Sequence, residues 1–321
     1  MTAPWTQEHF GITGGAGALG TSLARRMLAA GCRDVTVFSP RPPCPQKGLR
    51  YEKGDIRNLS QLERGLLGCT VVFHLAALTD AAKSNTDPMR CLEVNALGVA
   101  NVMEACRRLG VKKIIYASTA HVYGKPRHLP VTEEHSTEPL SLYAASKLAG
   151  EVFVRGYAAS YKQAAVIARL SNLYGGSLGP ATVIGRAVES VLFQEPIRLR
   201  SLDEVRDFLY IEDAAEALLR LATSEQTAAG LHVVNASTGC GVSIREAVSE
   251  LARAAEDEGL PVPRILPPSG EPDHEIPKLA LDNRRLRMLT GWTPQTRLRQ
   301  GLANTLKESK VRSLSGAPAR R

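Results

Sequence analysis

The sequence predicts an α/β fold, a doubly wound parallel sheet followed by a smaller and less regular C-terminal region. Three observations carry that prediction. Short apolar runs alternate with helix-like stretches over roughly the first 170 residues, the order that yields parallel strands joined by crossover helices. The first run leads at once into Gly14-Gly15-Ala16-Gly17-Ala18-Leu19-Gly20. The run at 70–77 is apolar without alternation, as a strand covered on both faces must be.

Residues 9–13 read as a short buried strand. Glycines 14, 17 and 20 allow a tight turn and a close approach of backbone to a pyrophosphate. They also let the next helix, 18–30, pack near the strand, with the amides from Ala18 and Leu19 onward facing the anion. Gly31 suits the end of that helix. A second strand covers 34–38. A carboxylate at its end would bind the adenosine ribose hydroxyls of NAD, but this chain has Ser39-Pro40-Arg41. Ser39 can still hydrogen-bond a ribose hydroxyl, and Arg41 can pair with a 2′-phosphate, so NAD and NADP both stay open.

A strand at 50–53 precedes Gly54-Asp55-Ile56-Arg57, whose carboxylate can reach an adenine. After the strand at 70–77, which contains His74, a long helix is expected over 87–109. It carries Asn95 and Asn101 and ends at Gly110. Residues 112–117 form the next strand and run into Ser118-Thr119-Ala120-His121-Val122-Tyr123-Gly124. For His74, His121 and Asn95 there is also a plain reading, since a polar side chain on a buried segment is commonly hydrogen-bonded packing.

The helix expected at 140–161 holds the chemistry. Tyr143 and Lys147 stand four residues apart, so they share one helical face. A free tyrosine titrates near ~10 and is a poor base at neutral pH. A lysine ammonium held close favours the phenolate and brings the tyrosine into a useful range. The spacing alone is common. It gains weight from the 116–124 segment upstream and the glycine turn at the N-terminus.

A strand at 164–170 leads to Ser171-Asn172-Leu173-Tyr174-Gly175-Gly176, and there the pattern changes. Proline and glycine breaks multiply, with no linker long enough to separate an independent domain. Arg206-Asp207-Phe208 opens a segment that enters an Ala/Leu-rich helix, and 231–235 reads as a strand returning to the sheet. The division is thus a dinucleotide-binding part at 1–172, rejoined by about 207–236, and a substrate-binding part at 173–206 and 237–308. Residues 309–321, rich in Ser, Gly, Pro and Arg, read as a disordered tail. There is no internal repeat.

With 321 residues the chain can bury a large core. No apolar run approaches the ~20 residues that span a bilayer, and no signal-peptide pattern is present. The expected location is the cytoplasm, with no membrane partner. Six cysteines (Cys32, Cys44, Cys69, Cys91, Cys106, Cys240) show no metal-like spacing, so they read as packing residues in a reducing compartment and no metal site is expected. The net charge of +8 raises nucleic acid as a partner, but aromatics are only 5%, too few for base-stacking platforms. An excess of arginine suits a small anion such as a nucleotide diphosphate instead.

Taken together, these motifs resemble the extended short-chain dehydrogenase/reductase family, in its NAD(P)-dependent sugar-nucleotide epimerase/dehydratase branch. The likeness runs to about residue 308. It rests on residues 13–20, 54–57, 74–77 and 118–124, on Tyr143 with Lys147, Arg169 with Asn172, and Arg206-Asp207-Phe208. Leu289-Thr290-Gly291-Trp292-Thr293-Pro294 and Gly301-Leu302 echo the family's ending.

The resemblance implies a Rossmann-type fold and a homodimer. It implies catalytic roles for Thr119, Tyr143 and Lys147, and places Asp55, Ile56, Leu75, Ala76, Ala77 and Asn95 along the dinucleotide. It places Thr79, Lys83, Thr119, Ala120, His121, Asn172 and Arg206 along a UDP- or dTDP-sugar. The implied reaction oxidises the sugar transiently at C4, which favours tightly held NAD over exchanging NADPH. A 4-epimerase is the leading expectation. Dehydratases of the branch follow the threonine with Asp-Glu, whereas this chain has Ala120-His121. His121 can still act as a base, so a 4,6- or an unusual 5,6-elimination stays open. A 4-keto reductase and a non-catalytic dinucleotide-binding regulator are the remaining alternatives. Gly270-Glu271-Pro272-Asp273 stands where many relatives have a diphosphate-binding arginine.

Overall fold

The computed structural model describes residues 8–43, 46–180, 182–262, 264–267 and 276–314. In chain order its first strands are β1 (Phe10–Thr13), β2 (Val35–Ser39), β3 (Leu49–Lys53), β4 (Val71–His74), β5 (Lys113–Thr119) and β6 (Ala164–Leu170). The later ones are β7 (Asn172–Tyr174), β8 (Val205–Arg206), β9 (Phe208–Tyr210), β10 (Leu231–Ala236), β11 (Val242–Ser243) and β12 (Lys278–Leu279). Helices α1 (Ala18–Ala29), α2 (Leu59–Gly65), α3 (Ala81–Thr86), α4 (Pro88–Leu92), α5 (Gly98–Arg108) and α6 (Leu142–Tyr161) belong to the first half. Helices α7 (Val183–Phe193), α8 (Ile211–Thr223), α9 (Ile244–Asp257), α10 (Arg284–Thr290) and α11 (Leu298–Leu314) follow.

Seven strands form one sheet in the order β10-β6-β5-β4-β1-β2-β3, every pair parallel. The chain winds outward from β1 to β3, then crosses back to β4 and outward again to β10. The strand order therefore reverses between β1 and β4. In such sheets the crevice beyond the C-terminal strand ends at that reversal is where ligands sit. Strands β1, β2, β4, β5 and β6 are buried along their whole length, because helices cover both faces. Leu23 and Met27 of α1 meet Leu218 and Leu221 of α8 on one face. Val99 and Val102 of α5 and Val154 of α6 fill the other. Two small sheets, β11-β8-β12 and β7-β9, accompany a second core of α7, α9 and α11 residues.

Several elements depart from the sequence expectation. The strand expected at 70–77 ends at His74, and Leu75, Ala76 and Ala77 leave the sheet. Strand β5 continues two residues past the expected end, so Thr119 is its last residue. The helix expected over 87–109 is broken by a π turn at Glu93–Leu97. Leu286 and Trp292 pack into the main-sheet core; each such burial is worth about 2 kcal/mol. The supposed tail is helical as far as Leu314, because Leu302 and Leu306 anchor α11 in the second core and the Arg312 guanidinium donates to the Gly176 carbonyl. Residues 315–321, Cys44 and Gly270-Glu271-Pro272-Asp273 lie outside the described residues. Cys32, Cys69, Cys91 and Cys106 are buried, but Cys240 is exposed and fills no core. No helix among the described residues is long and apolar enough to cross a membrane.

Candidate active site

The glycine turn at the end of β1 is built for close approach. Gly14 has φ +71°, in the left-handed region, and a side chain there would lie 2.6 Å from the Ala76 nitrogen. A Cβ on Gly20 would fall 2.5 Å from the Gly15 Cα, so α1 and the turn are packed backbone to backbone. Gly17 caps α1 without a side chain, and the first turn, with Ala18 and Leu19, carries no acid. The helix N-terminal amides are thus left to an anionic ligand, which fits a dinucleotide pyrophosphate.

Around this turn lie the other residues expected to line a dinucleotide. Ser39 ends β2 and is buried; its hydroxyl accepts from the Arg41 amide at 3.4 Å, and Arg41 is exposed. The Asp55 carboxylate is engaged by Arg57, whose amide and guanidinium donate to it at 2.7–3.1 Å, and this contact holds it below the usual carboxylate range. Its capacity toward an adenine is therefore largely taken up. Ile56 packs under Gly98. Leu75 donates its amide to the Thr13 carbonyl, which ties the segment Leu75, Ala76 and Ala77 to the glycine turn.

Asn95 departs from its expected role. It is fully buried; its Oδ1 accepts from the Leu78 amide at 2.7 Å, and its Nδ2 donates to the Leu78 carbonyl at 2.9 Å and Ser146 Oγ at 3.0 Å. Both ends of the amide are spent on protein. The π turn that carries it aims it at this loop, so Asn95 shapes the crevice without presenting its amide to it.

The catalytic candidates converge at the end of β5. The Thr119 hydroxyl accepts from the His121 amide at 3.3 Å, capping the 3-10 turn Ala120–Tyr123, and it also hydrogen-bonds the Tyr143 phenol. Ala120 is buried beneath the turn and His121 is half-buried. Helix α6 begins with Ser141 as its cap, which sets Tyr143 and Lys147 on the face turned to β5. The Lys147 ammonium lies 4.3 Å from the centre of the Tyr116 ring.

Burial pushes Tyr143 up to about 12, with the Thr119 side chain acting the other way. Burial likewise brings Lys147 down to about 7, with the Glu151 carboxylate opposing. For both groups desolvation is the larger effect.

On the substrate side, the Asn172 amide donates to the Asp207 carbonyl at 2.9 Å, which brings Arg206 next to the C-terminal end of β6. Arg206 is engaged: its guanidinium donates to Glu204 at 2.5 Å and to the Val205 carbonyl at 3.0 Å. Thr79 and Lys83 are exposed on and before α3.

Sequence reasoning missed Glu151, Glu204 and the part played by Cys91. Glu151 continues the four-residue spacing of Tyr143 and Lys147, which is the one signal that was available. Cys91 is buried and donates to Ser146 Oγ at 3.4 Å, so it packs directly behind the residue that precedes Lys147. A groove of about 880 Å³ between α1, α8 and α10 contains none of these residues.

Residues 11–237 match the NAD dependent epimerase/dehydratase family. The UDP-glucose 4-epimerase of Mycolicibacterium smegmatis is 30% identical over 316 residues, spanning 92% of this chain and 96% of its own. Among solved structures, MoeE5 in complex with UDP-glucuronic acid and NAD has a TM-score of 0.85 at 30% identity, covering 94% of this chain and 99% of that one. The Thermus thermophilus UDP-glucose 4-epimerase complex with NAD has a TM-score of 0.83 at 31% identity, covering 94% and 98%.

Proposed function

This chain belongs to the NAD dependent epimerase/dehydratase family, and on that premise we propose that it is an NAD-dependent enzyme that inverts a UDP- or dTDP-sugar at C4. One observation carries the reading: Thr119, Tyr143 and Lys147 meet at the end of β5, beside a glycine cradle at the reversal of strand order. The cradle and the loop from Leu75 to Ala77 would hold the dinucleotide, with Ser39 at the adenosine ribose and Lys147 at the nicotinamide ribose. NAD held there would supply the hydride acceptor and donor for C4 of the sugar. Tyr143, as phenolate, takes the proton of the 4-hydroxyl and returns it when the hydride comes back, and Thr119 hydrogen-bonds the same oxygen. The positive charge of Lys147 stabilises that phenolate before the proton is taken. Arg206 and Asn172 receive the diphosphate, the guanidinium offering two parallel donors.

A second reading rests on His121. Its backbone N–H donates to the Thr119 hydroxyl, which keeps the residue beside the threonine, and an imidazole there can remove the C5 hydrogen of a 4-keto sugar and start an elimination. Mass spectrometry after incubation with a panel of UDP- and dTDP-sugars decides between them. Epimerisation gives a new chromatographic peak at unchanged mass, and elimination gives the loss of one water. No conversion of any sugar in the panel would refute both.

The assembly we infer is a homodimer through α5 and α6. Leu97 and Val152 stand 57% and 60% exposed beside α5 and on α6, and exposed large apolar side chains are what an interface would cover. Light scattering gives the mass of a dimer if this holds, and Val152→Lys shifts it toward the monomer.

A further inference from the structure

The carboxylate of Glu151 has no part in the chemistry described above, yet it is fully buried directly behind that chemistry. It lies four residues after Lys147 and eight after Tyr143 on α6, so the three share a helical face. Three groups donate to it: Ser118 Oγ at 2.6 Å, Arg169 Nε at 3.0 Å and an Arg169 terminal nitrogen at 2.7 Å. Ser118 immediately precedes Thr119, and Arg169 stands opposite Ser118 in the β5–β6 register. The Arg169 guanidinium lies 4.7 Å from the centre of the Tyr123 ring, and the Tyr123 hydroxyl donates to Asn235 on β10 at 2.7 Å. One carboxylate thus ties α6 to two strands at the point where the sheet delivers Thr119.

We propose that Glu151 is a positioning residue, which fixes Thr119 through Ser118 and supplies the negative charge that keeps Lys147 an ammonium. The surroundings of Lys147 support this. Tyr116 and His74 face it from β5 and β4, and Cys91 faces it from α4. Tyr143 and Arg155 share its helix, Arg155 reaching to 3.8 Å from Glu151, while Arg169 and Tyr123 lie behind Glu151. Among these, His74 is buried and neutral, and Arg169 and Arg155 are further cations. Glu151 is the carboxylate that opposes the burial of Lys147. A buried arginine held by two hydrogen bonds is a rigid partner, so the charge cannot swing away.

The inference rests on the assignment of Lys147 to the NAD site, and the test separates the two. Glu151→Gln, Glu151→Asp and Ser118→Ala are compared with wild type by the pH dependence of NAD affinity, by the pH profile of kcat and by melting temperature. In Glu151→Gln the alkaline limb of NAD affinity and of kcat moves down by about one pH unit or more, the size expected on losing an adjacent opposite charge. Glu151→Asp keeps the limb and loses kcat about tenfold, because charge is retained and reach is not. Ser118→Ala leaves the limb in place and lowers kcat several-fold. An unmoved limb in folded Glu151→Gln overturns the proposal, as does a wild-type kcat in both other variants, which decide the matter if Glu151→Gln does not fold. Absence of NAD binding by wild type at every pH would refute the function itself, a different result from unchanged binding across the variants.

Discussion

Two arginine–glutamate pairs separate the regular half of this molecule from the irregular one. Arg169 and Glu151 join β6 to α6, with side chains 3% and 0% exposed and two parallel hydrogen bonds. Arg206 and Glu204 are two residues apart at β8, 10% and 13% exposed, and joined by a single close contact. The first pair is enclosed by the main sheet, and opening it would strand two charges in a medium that cannot solvate them. The second lies on the middle strand of the small β11-β8-β12 sheet, slightly more open than the first, where an incoming phosphate can compete for the guanidinium. On the proposed function, the chemistry is fixed before any ligand arrives, whereas the diphosphate has to exchange places with a carboxylate already on Arg206.

The largest effect tests whether the fixed half does the chemistry. Tyr143→Phe removes the acid–base group and leaves the helix and its packing, so turnover falls by about 10³-fold or more while NAD affinity stays within a few-fold. Retained activity would move the catalytic base elsewhere. Next in size is Arg169→Met. It strips the Glu151 carboxylate of its buried bidentate partner and leaves it only Ser118 and the longer contact to Arg155 at 3.8 Å, which costs about 3 kcal/mol, read as a melting temperature lower by several degrees, roughly 5–10 °C. Arg206→Met shifts the melting temperature far less and raises KM for the nucleotide-sugar. Equal melting shifts for the two would erase the distinction between the pairs.

The pH dependence of stability also falls on the fixed half. Burial brings His74 down to about 3, Lys147 to about 7 and Lys113 to about 8. Each group binds its proton more readily in the unfolded chain, so each penalises folding as pH falls from its unfolded value to its folded one. Stability is therefore lost from about pH 6.5 toward 3 through His74, and it rises above pH 7 as the two lysines cease to favour the unfolded state. Above about pH 9 the buried thiols act in the opposite sense, since burial raises Cys32 to about 11 and Cys69 to about 12. A thermal melt series from pH 4 to 8 rises throughout, and His74→Asn flattens its acid part. A series flat in wild type would mean that His74 charges without cost.

How much of this was legible in the sequence follows from how local each feature is. The glycine turn, Thr119 and the Tyr143–Lys147 spacing are contiguous or nearly so, and each is specified by residues that touch along one element. The π turn was not legible: Pro88 through Arg108 reads as continuous helix, and the distortion is stabilised by Asn95 reaching Leu78 seventeen residues away. Glu151 and Arg169 sit on separate elements, and only the β5–β6 register brings Arg169 opposite Ser118. Desolvation of Tyr143 and Lys147 depends on what covers them, so its size could not be read from their spacing. Arg206 was legible as a cation, but its pairing with Glu204 was not, because β8 is only two residues long and is shaped by β11 and β12.

The smallest effect concerns that last pair. The Glu204 carboxylate is held to the Arg206 guanidinium, the same group that the proposed function gives to a diphosphate. A carboxylate and a phosphate offer the guanidinium similar geometry, so Glu204 competes with the substrate from within the chain. Glu204→Gln weakens the competitor while keeping its size. KM for the nucleotide-sugar then falls by about 3- to 10-fold, worth about 0.6–1.4 kcal/mol, with kcat within twofold of wild type. Inhibition by UDP strengthens in parallel, because the same phosphates are read without the sugar. A higher KM would invert the interpretation: Glu204 would then hold the guanidinium in its receiving orientation, and the second pair would be as fixed as the first.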